Sequence, residues 1–290
     1  MHVNTVYENS NSHGLTKISC VKYRNLHNLS HYHSDHEVIY VNEGSAKVCV
    51  NEVVFQLDEK ESLFVYSNDI HYIIADETSV ITVLKADKEY YEAVFTQKKL
   101  STPVISANTD VYSFLESVYS EIKRSDEYSA VMVNGLTSLF FVTLLRNQPT
   151  VERKNETAVR KITHESFSAL CGKIADEYST ITFKEAAQFM NYSEKHFSKM
   201  FRNLFGMTFT KYLNIIKISG ALQMLKQGNM SISEIADSCG FNTIRNFNRV
   251  FKAFTGYSPT DIPTDYNYLY SLHIGYGLDP TLNCTVILNE

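Results

Sequence analysis

A positive net charge, a long apolar run and a paired-cysteine motif are all missing from this 290-residue sequence. Its 27 Lys and Arg against 32 Asp and Glu give a formal net charge of −5, which taken alone speaks against a nucleic-acid partner. No apolar stretch approaches the roughly 18 residues that a membrane-spanning helix needs, so no membrane is expected. The polar start, Met1 to Ser12, has no apolar core of a signal peptide, so export is not expected either. Cys20, Cys49, Cys171, Cys239 and Cys284 are odd in number, widely spaced and free of any C-x-x-C pair. That argues against disulfides and a zinc knuckle and for reduced, mostly core thiols in a cytoplasmic protein.

The charge that is present is unevenly placed. Residues 1–150 hold 12 basic against 19 acidic side chains, whereas residues 160–263 hold 13 basic against 8 acidic. Residues 264–290 carry three acids and no base. An acidic part joined to a basic part points to a regulatory or assembly half and a nucleic-acid half.

From about Leu15 to Ala86 the pattern alternates as strands do. His36-Glu-Val-Ile-Tyr-Val41, Ala46-Lys-Val-Cys-Val50 and Val53-Val-Phe-Gln-Leu57 are cut by turn residues at 42–45 and 51–52. Many short strands at close spacing predict an antiparallel sandwich or barrel over 1–107. The period then becomes helical. Val111, Phe114, Leu115, Val118, Tyr119 and Ile122 form one run, and Val131, Met132, Leu136, Leu139, Phe140, Val142 and Leu144 a second. These helices, placed at 108–146, are expected to cover the barrel, a second subunit, or both, with a homodimer as the favoured state. A polar, Pro-containing stretch at 147–159 reads as a linker, and 160–263 as helices with short turns. The Tyr-rich extension, 264–290, shows no clear period.

Residues 182–212 repeat at 232–262 with a constant offset. Ala186 matches Ala236, Phe197 matches Phe247, Phe201 matches Phe251, Gly206 matches Gly256 and Thr210 matches Thr260. Each copy reads as a short helix, a tight turn and a second helix. Thr182-x-x-Glu185 and Ser231-x-x-Glu234 have the form of capping boxes, and Ser193 and Thr243 that of N-caps. The second helices bury Phe197, Met200, Phe201 and Leu204 in one copy, and Phe247, Val250, Phe251 and Phe254 in the other. Their opposite faces present Lys195, Ser198, Lys199 and Arg202, and Ile244, Arg245, Asn248, Arg249 and Lys252. Such a face suits the major groove of double-stranded DNA, where these groups read base edges and phosphates. A helical pattern from Thr208 to Lys226 would hold the two about 27 Å apart at 1.5 Å per residue, close to the spacing of successive grooves.

Two segments carry a family resemblance. Ile232-Ser-Glu-Ile-Ala-Asp-Ser-Cys-Gly-Phe241 with Phe247-Asn-Arg-Val-Phe-Lys-Ala-Phe-Thr-Gly-Tyr-Ser-Pro259 resembles the signature of AraC-type (AraC/XylS) regulators, and Tyr192 to Gly206 is similar to that family's upstream helix-turn-helix. The resemblance implies a transcription regulator whose base readers fall on Lys195, Ser198, Lys199, Ile244, Arg245 and Arg249. RNA polymerase would be a further partner if it activates. Ile244 departs from the usual polar type, and Asp261-Ile-Pro263 from the usual ending.

In the first half, His31-x-His33-x3-Glu37-x6-Gly44 resembles the first motif of cupin barrels, and His71 falls where a second-motif histidine would lie. Three His and a carboxylate make a plausible metal set, which opens the alternative of a metal-dependent cupin enzyme fused to a DNA-binding domain. Glu59-Lys-Glu61 stands where that second motif has Pro-x-Gly. The AraC-type resemblance implies instead a cupin-like sensory barrel without metal, cofactor or catalytic residue. His31, His33, Glu37, Tyr40, Tyr66 and His71 are the candidate contacts of a small polar effector such as a sugar. A partner polypeptide in place of a metabolite is the other alternative. The expected architecture is α+β: an N-terminal cupin-like β-barrel with following helices, then an all-α domain with two helix-turn-helix units.

Overall fold

The computed structural model describes residues 18–152, 158–263 and 285–288. These form two compact units, one with all the described strands and the first three helices, the other with the remaining helices. In chain order the first contains β1 (Ile18–Arg24), β2 (Asp35–Glu43), β3 (Ser45–Val50), β4 (Val53–Asp58), β5 (Ser62–Val65), β6 (His71–Ala75), β7 (Val80–Asp87), α1 (Lys88–Phe95), β8 (Lys98–Leu100) and β9 (Val104–Ile105). It continues with α2 (Val111–Arg124), α3 (Ser129–Asn147) and β10 (Thr150–Glu152). The second contains α4 (Ala158–Glu177), α5 (Phe183–Phe189), α6 (Glu194–Phe205), α7 (Phe209–Gln227), α8 (Ile232–Ser238) and α9 (Ile244–Thr255); β11 (Val286–Leu288) returns to the first.

The strands make a six-stranded sheet in the order β11-β1-β7-β2-β5-β9 and a three-stranded sheet in the order β4-β3-β6. β2 lies between β7 and β5 and is buried along almost its whole length. Because successive side chains alternate, His36, Val38 and Tyr40 face one side of β2 and Glu37, Ile39 and Val41 the other. The first side joins an apolar core with Phe64, Phe95, Leu115, Val118 and Phe141, beneath α1, α2 and α3. Gly44, in the β2–β3 turn, has φ +79°, and an added Cβ would overlap Ser79 Oγ; glycine is the residue that fits.

The expected α+β architecture, a strand domain with following helices and then a helical domain with two helix-turn-helix units, is the one observed. Several details differ from the sequence reading. The 147–159 stretch is not all linker: α3 runs to Asn147, and Thr150–Glu152 pair with β8. α1, which the strand pattern gave no warning of, starts at an Asp87 N-cap whose carboxylate accepts from Glu89 N–H. Of the C-terminal extension, Val286–Leu288 pair antiparallel with β1; residues 1–17, 153–157 and 264–284, with Cys284, lie outside the described residues.

α3 corrects a further expectation. By length and composition this 19-residue helix is apolar enough to cross a membrane, and about a third of it is buried in the protein. Asn134, Thr137 and Ser138 break the apolar run in sequence. In the helix Thr137 Oγ1 and Ser138 Oγ donate to the carbonyls of Val133 and Asn134, which hides their polarity. Val133, Phe140, Phe141 and Leu144 face the core, while Val131 is 74 % and Leu139 66 % exposed.

Candidate functional site

In the helical unit each helix-turn-helix is fixed by devices local in sequence. Thr182 and Ser231 accept from the N–H of Glu185 and Glu234, whose carboxylates accept the cap residues' own N–H, completing two capping boxes. Ser193 Oγ and Thr243 Oγ1 accept from His196 N–H and Asn246 N–H at the starts of α6 and α9. The turns need left-handed residues: Asn191 at φ 55° in the first copy and Gly240 at φ 70° in the second. A Cβ on Gly240 would run into the Ser179 carbonyl, so no other residue fits there. The Gly240 carbonyl accepts from Lys217 Nζ at 2.6 Å, and that ammonium lies 5.3 Å from the Phe241 ring. Burial pulls the Lys217 pKa down, partly offset by Cys239.

α7 anchors both copies. Phe209 and Tyr212 meet the rings of Phe201 and Phe205 of α6, while Ile218, Ala221 and Leu222 pack with Ile235, Phe247 and Phe251 of the second copy. Burying one stripe of each second helix turns its other face outward. Phe197, Met200, Phe201 and Leu204 are buried, as are Phe247, Val250 and Phe251, with Phe254 half-buried. Lys195, Ser198, Lys199, Arg202, Ile244, Arg245, Asn248, Arg249 and Lys252 are all exposed. Two exposed residues escaped the sequence reading. Asn246 Oδ1 accepts from Arg249 Nη2 at 2.9 Å, and His196 stacks on Tyr192 at 4.3 Å. After α9 the described residues to 263 form a turn in which Ser258 Oγ donates to Asp261.

His31, His33, Glu37 and His71 are all buried, with one ligand atom from each within 4.8 Å of the others. Glu37 comes from the six-stranded sheet, His71 from the three-stranded one, and His31 and His33 from the segment entering β2. Glu37 Oε2 lies 2.8 Å from His33 Nε2, 3.5 Å from His71 Nε2 and 3.9 Å from Lys85 Nζ. Burial alone would raise the Glu37 pKa; His71, His33 and Lys85 outweigh it and hold the carboxyl well below its usual range. Burial alone would lower that of His71, and Glu37 reverses the shift upward.

The outer nitrogens are as telling. Nδ1 of His31, His33 and His71 each lies on a main-chain carbonyl two residues away, those of Leu29, Asp35 and Asp69, at 2.8, 3.2 and 2.8 Å. A carbonyl only accepts, so the proton sits on Nδ1 and Nε2 is turned inward. An ionised carboxylate and a bare Nε2 cannot face each other at 2.8 Å without a proton or a metal ion between them. Main-chain carbonyls that set the tautomer in this way are how metal-binding histidines are held. The donor set, three imidazoles and one carboxylate, suits a first-row divalent transition metal.

Tyr40 and Tyr66 are not brought to this cluster. Tyr40 is on the opposite face of β2, 5.9 Å from the Tyr112 ring. Tyr66 packs on Phe64 and Phe95, and its hydroxyl accepts from Leu100 N–H. His36 is on that same face, 4.6 Å from Phe95. Lys85, which the sequence reading passed over, sits opposite Glu37 in the β2–β7 register. A lone lysine within Val80-Ile-Thr-Val-Leu-Lys-Ala86 was the available signal.

Residues 186–263 match a helix-turn-helix domain family and residues 24–85 a cupin domain family. The chain is 32% identical over 94 residues to the HTH-type transcriptional regulator YpdC of Escherichia coli, covering 32% of this chain and 33% of that one. It is 23% identical over 256 residues to the HTH-type transcriptional regulator YfiF of Bacillus subtilis, covering 80% and 77%. The raffinose operon transcriptional regulatory protein RafR of Pediococcus pentosaceus is 24% identical over 155 residues, 53% of this chain and 54% of that one. Fold and exposed basic helices together define a two-domain DNA-binding protein. The chain is a transcription regulator of the AraC type, with a cupin-like domain ahead of its paired helix-turn-helix units.

Proposed function

We propose that this regulator enters successive major grooves with α6 and α9, and that an effector held at the His31–His33–Glu37–His71 cluster sets when it does so. The carrying observation for the first part is the matched pair of capped helices, each anchored by aromatics and presenting only exposed candidate readers. α7, at 19 residues, spans about 28 Å at 1.5 Å per residue, a reach compatible with grooves about 34 Å apart on slightly bent DNA. For the second part it is the gathering of four buried polar ligands within reach of one another. Effector binding biases an equilibrium between DNA-competent and DNA-incompetent forms.

A small polar molecule is the first effector class, and a sugar its leading member, since RafR is named for a sugar operon. Calorimetry with a sugar panel should give heats with wild type that a His31→Ala, His33→Ala double variant loses. Silence from both overturns the sugar. The geometry favours a second reading, a divalent metal at the same four residues. It would bring a Lewis acid or a coordination point for the effector, and the chain's own part is to hold Glu37 ionised and three Nε2 atoms inward. Metal analysis of purified protein tests this; turnover of a small substrate by the metal-loaded protein would make the barrel an enzyme.

The protein acts in the cytoplasm as a homodimer, with RNA polymerase as a further partner where it activates. The exposed apolar positions along α3 and at its N-cap support the dimer: Tyr128, Val131, Met132 and Leu139 carry no charge that would repel a second copy. Sedimentation should show a dimer at tens of micromolar that Leu139→Glu splits; a wild-type monomer overturns it.

A further inference from the structure

We infer that Lys85 is a built-in competitor for the metal, making occupancy of the cluster conditional on metal supply rather than permanent. The inference rests on the metal reading of the four-residue cluster and concerns what regulates it. Glu37 and Lys85 are cross-strand partners in the β2–β7 register, so both side chains leave the same face of the sheet. Glu37 is 1 % exposed and Lys85 21 %, so a partly exposed lysine side chain reaches a buried carboxylate. Its Nζ is 3.9 Å from Oε2, the same oxygen that His33 and His71 approach.

Glu37 is the one anionic ligand of the cluster, and its charge gives a divalent ion much of its attraction to the site. Lys85 already satisfies part of that charge with a cation that never leaves. A metal ion arriving at the cluster must share Glu37 with Lys85 and sits within several Å of its positive charge. In a largely buried site that repulsion is only weakly screened. The same lysine stabilises the empty cluster by giving the carboxylate a permanent counter-ion. Both effects move the balance toward the metal-free form. A resident cofactor site would gain nothing from a fixed cation at its carboxylate, whereas a site that must fill and empty as metal supply changes needs its affinity held down.

The test uses full-length protein stripped with a chelator and titrated calorimetrically with Zn2+ and with Mn2+. Wild type is compared with Lys85→Gln, Lys85→Arg and Glu37→Gln, each checked for folding by circular dichroism and melting. Lys85→Gln should bind metal about ten-fold or more tighter than wild type, within the range outer residues exert on metal affinity. Lys85→Arg should stay close to wild type, since it keeps the charge. Glu37→Gln should weaken binding by at least as much as Lys85→Gln strengthens it. Tight binding by Lys85→Gln with none by wild type supports the inference in its strongest form. Unchanged or weaker binding by Lys85→Gln, with wild type still binding, overturns the role of Lys85 and leaves the metal reading standing. No binding by wild type, Lys85→Gln or Lys85→Arg overturns both.

Discussion

In the helical unit the working residues are outside and the supporting ones inside: rings of Phe197, Phe201 and Phe247 are buried so that Lys195, Lys199 and Arg249 can stand in water. The strand unit inverts this: Glu37 and the imidazoles around it are buried on one side of β2, and on the other lies an aromatic core that also takes in His36. An exposed reader can be changed with little effect on folding, because water solvates whatever is left. A buried cluster cannot, because each partner of Glu37 loses its counterpart. Recognition and folding are therefore separable in one unit and coupled in the other.

The largest test of that contrast is Glu37→Ala. It leaves His71 and Lys85 without their shared carboxylate in a buried setting, a loss of about 3–5 kcal/mol by analogy with broken buried pairs. Thermal unfolding should show the strand unit destabilised, while DNA binding by the surviving folded protein keeps its sequence preference. A melting temperature equal to wild type would mean that the cluster contributes nothing to folding.

Gly240→Ala comes next, because the helical unit has one position where folding and recognition do meet. The substitution forces a Cβ into the Ser179 carbonyl at φ 70°, costing on the order of 3 kcal/mol. Asn191→Ala, the equivalent turn in the first copy, should cost only about 1 kcal/mol, since a left-handed Asn is replaced without such a carbonyl in the way. Footprinting should then lose the half of the operator read by α9 and keep that read by α6. Equal losses in the two variants would break the asymmetry.

What the sequence made legible follows the same divide. Capping boxes, N-caps and aromatic stripes act within three or four residues, so the helical unit could be read almost whole. His31, His33 and Glu37 were legible for the same reason. The grouping of Tyr40 with Glu37 was not sound on local grounds either: their odd separation puts them on opposite faces of one strand. His71 is legible only through the cupin resemblance, since its approach to Glu37 depends on the meeting of two sheets, and Lys85 depends on the β2–β7 register, which no single segment encodes. α3 is hard to see as a run because Asn134, Thr137 and Ser138 interrupt the apolar residues, although its mean hydropathy is high and the two hydroxyls bond back into the helix.

Arg249→Ala should leave stability unchanged and relax specificity at one base position by about 1–3 kcal/mol, measured by competition among operator variants at fixed salt. Uniform weakening would make Arg249 a phosphate contact.

The smallest effect is expected at Asn246, which was no candidate reader. Its side-chain oxygen accepts from the Arg249 guanidinium one turn along α9. It touches the reader rather than, on this account, the base. A held guanidinium loses less freedom on binding, so Asn246→Ala should weaken the cognate operator by roughly 0.5–1 kcal/mol, about what ordering one long side chain costs at an interface. The signature is dependence on Arg249: with Arg249→Ala already in place, Asn246→Ala should add nothing. An undiminished second effect in that double-mutant cycle would give Asn246 a contact of its own on the DNA. It would also enlarge the exposed recognition face by one residue.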